Sequence, residues 1–271
     1  MNDAVNIFMC GNSGVRDGII LAALSLVKHC DRVVNLIIGT MDLSDIDMRY
    51  TPVSRADAKT VERILTERNP ESRVTLLDMG YEFRREMDGS KNLESSYTPY
   101  AMLRLLADLF PMPEKLLYID CDVLFADDVS LLWDTDVSEY HLAGVRDYYG
   151  RWFINPNYIN SGVMLWNLRK MREDGVLAAC RELCVKKKML FFDQDAINKY
   201  AKKKLYLPSR FNDQHGYKKN TVIQHFSMYI KWIPFRTEAV KPWQPELMHS
   251  RLGLYEYDDI IEKWRDIKGN E

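Results

Sequence analysis

The chain has 271 residues, of which 46% are hydrophobic and 28% are charged, and its formal net charge is −2 at pH 7. These values predict one large α/β domain, or a core domain with a small appendage. The small net charge leaves no broad basic surface, which argues against nucleic acid as a general partner but leaves room for a small anionic ligand at a local site.

Cysteine usage and apolar segments predict the cellular setting. The five cysteines are odd in number and no secretory signal precedes Cys10, so we expect reduced thiols and a cytoplasmic protein. Cys180 and Cys184 have the spacing of one helix face, which is typical of core residues rather than zinc ligands. The longest apolar run, residues 19–27, is too short to span a bilayer, so we expect a soluble chain without a membrane anchor.

The first half of the chain alternates strands and helices. Apolar runs predict four strands, at residues 5–10, 33–39, 73–78 and 115–120. Helical periodicity predicts three helices, at residues 18–29, 54–69 and 100–110. Ser54 and Asp57 have the spacing of a capping box, and Pro111 ends the third helix. Such alternation predicts a mostly parallel central sheet with helices on both faces.

The second half is less regular. Apolar runs predict three further strands, at residues 140–146, 161–168 and 221–226. Helices are predicted at residues 192–203, where acidic residues occupy the first turn, and at residues 257–267. No repeat, low-complexity tract or linker divides the chain. We therefore expect residues 1–271 to form a single domain with a small helical part, about residues 255–268, at the C-terminus.

The stretch "KLLYIDCDVLF" contains two carboxylates, Asp120 and Asp122, directly after an apolar strand. Ligands of parallel α/β sheets bind beyond the carboxyl ends of the strands. Residues i and i+2 of an extended chain point to the same side, so both carboxylates can reach one hard divalent cation. The pattern alone is weak evidence, because the chain repeats it at Asp45/Asp47, Asp134/Asp136 and Asp193/Asp195.

A series of segments in chain order, between residues 98 and 243, resembles the motifs of glycosyltransferase family 8. These segments are "YIDCDV", "LLWDTD", "YINSGVMLWNL", "FDQDAIN", "SRFN" and "QHFSMYIK". The resemblance implies a retaining enzyme of GT-A fold, with a Rossmann-like, mostly parallel sheet, that uses a nucleotide-sugar donor. It also implies a nucleotide-sugar-binding half at about residues 1–125 and an acceptor-side half at about residues 126–250.

The resemblance implies a metal site and a diphosphate site. Asp120, Asp122 and His225 would bind Mn²⁺ or Mg²⁺, and an imidazole ligand favours Mn²⁺. Without the resemblance, an ordinary half-buried histidine is the preferred explanation of His225. Lys231 would hold the diphosphate as a point charge, although a solvated surface lysine is the commoner case. Lys241 is the alternative, and Lys231 is preferred because it lies six residues after the histidine.

The resemblance also implies the residues around the donor. Asp193 and Gln194 would lie beside the donor sugar and its anomeric carbon, and Asp147 would line the acceptor side. The remaining donor contacts would come from Cys10, Gly11, Asn12, Val15, Arg104, Cys121, Asn160 and Ser161. Arg104 could instead form a structural salt bridge. Val15 stands where the family has an aromatic residue that stacks on uracil, so the base could be held by Asn12 instead.

These inferences predict a metal-dependent retaining transferase that moves a hexose, glucose or galactose, from a UDP-sugar to a hydroxyl acceptor. The acceptor could be a glycan or a lipid-linked saccharide. Gln194 is a poor nucleophile, which favours front-face displacement over a covalent intermediate, and both routes stay open. The alternatives are an inactive sugar-nucleotide-binding protein and a phosphotransferase of haloacid-dehalogenase type, in which Asp120 would be the nucleophile. The latter fits "DCDVLF" poorly.

Overall fold

The structure is a computed structural model that describes residues 4–93, 98–232 and 235–269, without the side chains of residues 231, 232, 235 and 236. The strands are β1 (Val5–Cys10), β2 (Val34–Thr40), β3 (Arg73–Asp78), β4 (Lys115–Ile119), β5 (Val123–Phe125), β6 (Leu142–Arg146), β7 (Ile159–Asn167), β8 (Lys204–Leu207), β9 (Ile223–His225), β10 (Tyr229–Trp232) and β11 (Phe235–Glu238). The helices are α1 (Arg16–His29), α2 (Arg55–Arg68), α3 (Gly80–Met87), α4 (Ser130–Trp133), α5 (Gly150–Phe153), α6 (Leu168–Glu173), α7 (Val176–Lys186), α8 (Phe192–Tyr200), α9 (Pro245–Leu247) and α10 (Asp258–Gly269).

The central sheet of the described residues has seven strands in the order β3-β2-β1-β4-β7-β6-β8. Within it β7 runs antiparallel to both of its neighbours, and the other pairings are parallel. Helices cover the sheet, and apolar side chains from both faces of β1 and β4 are fully buried. The predicted α/β architecture with a mostly parallel, helix-flanked sheet is confirmed.

Local sequence signals explain several of these elements. Ser54 accepts a hydrogen bond from the backbone of Asp57, whose side chain accepts one from the Ser54 backbone, so the predicted capping box starts α2. Strands β1 and β3 have the predicted bounds, and the strand predicted at residues 221–226 is shorter, as β9. Strand β8 was not predicted, because its sequence shows no apolar alternation. Its residues are all half-buried.

The helix predicted before Pro111 is a 3₁₀ helix, Pro99–Leu109, rather than an α-helix. Its carbonyl groups accept hydrogen bonds from arginine side chains. Arg104 Nε donates to the Ala101 oxygen at 2.9 Å, and Arg181 Nη1 donates to the Leu105 oxygen at 2.6 Å. Guanidinium donors thus bind backbone oxygens that a regular α-helix would pair with its own amides.

Two small antiparallel strand pairs and the C-terminal helix complete the fold. Strands β5 and β9 form an antiparallel pair, and β10 and β11 form a hairpin that follows β9 directly. Helix α10 lies on α1, where Trp264 Nε1 donates to Asp17 Oδ1 at 3.1 Å and Lys28 pairs with Asp259 at 2.7 Å. Among the described residues no helix combines the length and the apolar character needed to cross a membrane.

Candidate functional site

A cavity of about 490 Å³ lies at the carboxyl edge of the central sheet, where β1 and β4 end. Because β7 runs in the opposite direction, its first residues lie at this same edge, and the Asp120 N–H donates to the Gly162 oxygen at 2.8 Å. The predicted site residues that line the cavity are Cys10, Gly11, Asn12, Val15, Arg104, Asp120, Cys121, Asp122, Ser161, Asp193, Gln194 and His225. The fold thus brings segments from the whole chain to one place.

Asp120, Asp122 and His225 form a cluster on the cavity wall. Each offers one ligand atom, and these atoms lie within 4.8 Å of one another. His225 Nε2 is 3.4 Å from Asp122 Oδ1 and 3.9 Å from Asp120 Oδ2. The pairing of β5 with β9 creates this proximity, because it sets His225 directly opposite Val123, the residue after Asp122.

Gly162 leaves the space that the His225 imidazole occupies. A Cβ atom at this position would lie 2.2 Å from His225 Cε1 and 2.8 Å from each ring nitrogen. No side chain fits at such distances without moving the ring. The glycine of the "NSG" segment is therefore needed for the ring, in addition to any contact with a ligand.

Lys241, the alternative to Lys231 as the diphosphate lysine, lies on the cavity wall and pairs with the cluster. Its Nζ donates to Asp122 Oδ2 at 2.5 Å and to the Phe226 oxygen at 3.1 Å. Burial alone would raise the pKa of Asp122, but its interactions with Lys241 and with the His225 ring outweigh burial and lower it, so the carboxylate stays ionised. Lys231, the predicted diphosphate lysine, lies in β10, and its side chain is outside the described residues.

Arg104 is buried and bridges two carboxylates, with a side chain only 5% exposed. Its guanidinium is 2.8 Å from Asp120 Oδ1 and 3.2 Å from Asp193 Oδ2, and it lies over the Tyr118 ring at 4.3 Å. Burial lowers the pKa of Arg104, but Asp120 and Asp193 more than offset this and raise it. Burial raises the pKa of Asp193 to about 6, although Arg104 opposes the shift. Arg104 therefore forms structural salt bridges, which were the alternative to a donor contact, and it also lines the cavity.

Gln194 and Asp147 are joined beside the cavity. Gln194 Oε1 accepts a hydrogen bond from the Ser161 backbone at 2.9 Å, and its Nε2 donates to Asp147 Oδ2 at 3.4 Å. Asn160 Nδ2 donates to the same Asp147 oxygen at 2.9 Å. Asp147 and Asn160 do not line the cavity wall, but Asp147 holds Gln194, which does.

The turn after β1 approaches the cavity closely. A Cβ at Gly11 would lie 2.3 Å from Val15 Cγ2, so a larger residue does not fit there. Asn12 uses its side chain locally, since it accepts from Gly14 N at 3.2 Å and donates to the Arg49 oxygen at 3.3 Å. Burial raises the pKa of the Cys10 thiol well above its usual value, so this group stays protonated.

Some cavity residues were not anticipated from the sequence. Trp243 lines the wall beside Lys241, and the segment "KPW" that contains both was the signal that could have found it. Phe192 also lines it and has a φ of 26°, a value that bulky residues rarely adopt. This strained residue comes directly before Asp193 and Gln194.

A second cavity, of about 280 Å³, adjoins the first and shares His225 and Ser227 with it. Tyr149, Gln214 and Gln224 are among the residues that line it. Gln224 Nε2 donates to the Asp213 oxygen at 3.1 Å, and its buried Oε1 has no hydrogen-bond partner.

The donor atoms of the cluster fit a divalent cation. Two carboxylates and one imidazole combine the oxygen ligands of Mg²⁺ and Mn²⁺ with a nitrogen that favours Mn²⁺. In the described part of the chain this is the one group of three or more such side chains close enough together to hold an ion. The site opens into a cavity, which is typical of a metal that also contacts a substrate.

Comparisons with known proteins agree with this arrangement. The profile described as "Glycosyl transferase family 8" matches residues 6–246. General stress protein A of Bacillus subtilis is 26% identical over 185 residues, which cover 57% of this chain and 61% of that protein. A putative glycosyltransferase of Haemophilus influenzae is 31% identical over 134 residues, which cover 43% of this chain and 39% of that protein. The chain thus spans less than two thirds of the length of these relatives.

Solved structures share the fold. An active-site mutant of LgtC superposes with a TM-score of 0.70 at 18% identity, covering 98% of this chain and 96% of that one. The galactosyltransferase LgtC, solved with donor and acceptor sugar analogues, gives 0.65 at 18% identity, covering 97% and 96%. GlyE of Streptococcus pneumoniae gives 0.64 at 19% identity, covering 98% and 65%. With the profile match over nearly the whole chain, the protein is a member of glycosyl transferase family 8.

Proposed function

We propose that the protein is a metal-dependent, retaining hexosyltransferase that moves glucose or galactose from a UDP-sugar to a hydroxyl group of a saccharide acceptor. The single observation that carries this proposal is the cluster of Asp120, Asp122 and His225 on the wall of a cavity that also contains two cationic side chains. The likeness of the fold to the galactosyltransferase LgtC supports the choice of sugar. Membership of the family leaves no support for the haloacid-dehalogenase alternative.

In this proposal Asp120, Asp122 and His225 hold Mn²⁺ or Mg²⁺. The cation supplies positive charge where negative charge develops on the nucleoside diphosphate as the glycosidic bond breaks. Lys241 adds a second positive charge at the same end of the cavity, and it is preferred to Lys231 because its Nζ already lies against Asp122. A cation held by the carboxylates would take the place of Lys241 at Asp122, and the lysine ammonium would then be available to bind phosphate oxygens.

The other side of the cavity binds the sugar. Arg104, held between Asp120 and Asp193, keeps its charge and positions both carboxylates. Gln194 contributes an amide oxygen where the sugar acquires oxocarbenium character, as in glycoside hydrolysis. Asp147 orients Gln194 by accepting its Nε2–H. The adjoining cavity of about 280 Å³ is the proposed acceptor side, since it lies within the predicted acceptor-side half of the chain.

Calorimetry against a panel of nucleotide sugars, with and without Mn²⁺, tests the proposal. We expect a UDP-hexose to bind when Mn²⁺ is present and Asp122→Asn to abolish that binding, because this substitution removes a charged ligand. Slow release of hexose from the bound donor separates an enzyme from an inactive binding protein. Equal donor binding with and without the metal, or normal turnover by Asp122→Asn, would overturn the metal assignment.

A further inference from the structure

A buried chain of amide side chains runs from the metal cluster to Asp147. His225 Nδ1 lies 3.0 Å from Asn212 Oδ1, and Asn212 Nδ2 donates to Asn160 Oδ1 at 3.0 Å. Asn160 Nδ2 in turn donates to Asp147 Oδ2 at 2.9 Å. Asn212 is 1% exposed, so water is not available to replace a missing partner.

The backbone fixes the direction of every hydrogen bond in this chain. The Gly162 N–H, which can only donate, lies 2.9 Å from Asn160 Oδ1, so that atom must be the amide oxygen. The nitrogen of Asn160 then points to the carboxylate of Asp147, which can accept it. Because the Asn160 oxygen is an acceptor, Asn212 must present its nitrogen there and its oxygen to His225.

The imidazole of His225 must therefore donate from Nδ1. In the neutral ring this leaves the lone pair on Nε2, the nitrogen that faces Asp120 and Asp122. The two carboxylates act in the opposite sense, because they attract a proton to Nε2. A ring with its proton on Nε2 cannot bind a cation through that atom, so the acceptor at Nδ1 decides whether the ring is a ligand.

We infer that Asn212 is a positioning residue that holds His225 in the tautomer able to bind the metal through Nε2, an inference that rests on the metal site of the proposed function. The position of Asn212 is rigid. Its N–H donates to the Ser209 oxygen at 2.9 Å, and the next residue, Asp213, donates to Ile223 at 2.8 Å and accepts from His225 at 3.0 Å. The segment before β9 is thus attached to the strand that carries the histidine.

The test compares Asn212→Ala, which removes the acceptor, with Asn212→Asp, which keeps an acceptor at the same place. In metal-free protein with ¹⁵N-labelled histidine at about pH 8, NMR shows which ring nitrogen of His225 carries the proton. We expect Nδ1 in the wild type and in Asn212→Asp, and a shift of the proton toward Nε2 in Asn212→Ala. Calorimetry should show that Asn212→Ala binds Mn²⁺ about 10–100-fold more weakly, the range typical of outer-shell partners.

Gln224→Ala is the matched control, because Gln224 is a buried amide on the same strand whose hydrogen bond goes to Asp213 rather than to the ring. An equal loss of Mn²⁺ affinity in Gln224→Ala and Asn212→Ala would overturn the inference, as would an unchanged tautomer in Asn212→Ala. If Asn212→Ala does not fold, a ring that carries its proton on Nε2 and none on Nδ1 in Asn212→Asp overturns it. If the wild type binds no Mn²⁺, the metal site of the proposed function fails, while the tautomer result still decides the role of Asn212.

Discussion

Gly162→Ala should disable the metal site through one methyl group while the fold is kept. The added Cβ would lie 2.2 Å from His225 Cε1, whereas ordinary contacts begin at 3.4 Å. The imidazole must therefore move by about 1.2 Å, several times the tolerance of roughly 0.2 Å that metal-ligand distances allow. The ring cannot keep both the hydrogen bond to Asn212 and its position beside the carboxylates.

The size of the effect follows from this displacement. Loss of a correctly placed imidazole should weaken Mn²⁺ binding by at least about 10–100-fold, or about 1.4–2.7 kcal/mol. Overpacking at this buried strand should cost about 1–3 kcal/mol of folding stability, so the variant remains folded but melts earlier. Calorimetry with Mn²⁺ and thermal melts followed by circular dichroism measure the two quantities separately.

Gly144→Ala is the matched control, because Gly144 lies on the neighbouring strand β6. A Cβ there meets Ile159 Cδ1 at 3.4 Å, which is an ordinary contact. We expect this variant to bind Mn²⁺ like the wild type. A folded Gly162→Ala protein with wild-type Mn²⁺ affinity would refute the reasoning, because it would show that the imidazole of His225 is not a ligand.

Three further predictions address the rest of the cavity. Lys241→Ala should weaken UDP binding in the presence of Mn²⁺ by about tenfold or more, since a hydrogen bond to a charged group is removed; calorimetry that finds a larger loss in Lys231→Ala would restore the lysine chosen from sequence spacing. Gln194→Ala should lower kcat by about 100-fold while UDP affinity changes less, because its contact is strongest in the transition state; equal losses would make Gln194 a residue of donor binding alone. Burial raises the pKa of Asp193 to about 6 from an ordinary 3.8, so the folded metal-free chain takes up a proton as the pH falls toward 5 and the unfolded chain does not. Melts from about pH 7 to about pH 5 should show the wild type gaining stability relative to Asp193→Asn, and parallel pH profiles would contradict the raised pKa.

Much of the fold is predictable from local patterns. Apolar runs in β1 and β4 are buried on both faces, which is the pattern of parallel strands covered by helices. The capping box at Ser54 is determined by two residues three positions apart, so it is visible without tertiary information. The helix Pro99–Leu109 was predicted as a helix but not as a 3₁₀ helix, because Arg181, far along the chain, binds one of its carbonyl groups.

The candidate site likewise has residues that the sequence predicts and residues that only the tertiary structure identifies. Asp120 and Asp122 could be placed from the sequence alone, because they follow a buried parallel strand and such strands end at the ligand-binding edge. The lysine that faces the acidic pair could not be chosen in this way, because spacing along the chain is not distance in space. The β10–β11 hairpin turns the chain back on itself, so Lys241, sixteen residues after His225 by sequence number, reaches Asp122.

The sequence by itself determined the sheet, its helical cover and the acidic pair at the sheet's edge, because each depends on residues close together in the chain. The resemblance to the family indicated His225, but only the tertiary structure decided how that ring is placed and which side chain lies against it. The register of β5 on β9 sets His225 beside the acidic pair, and the segment before β9 sets Asn212 against the ring. Such long-range pairings depend on the packing of the whole core, and no pattern of neighbouring residues encodes them.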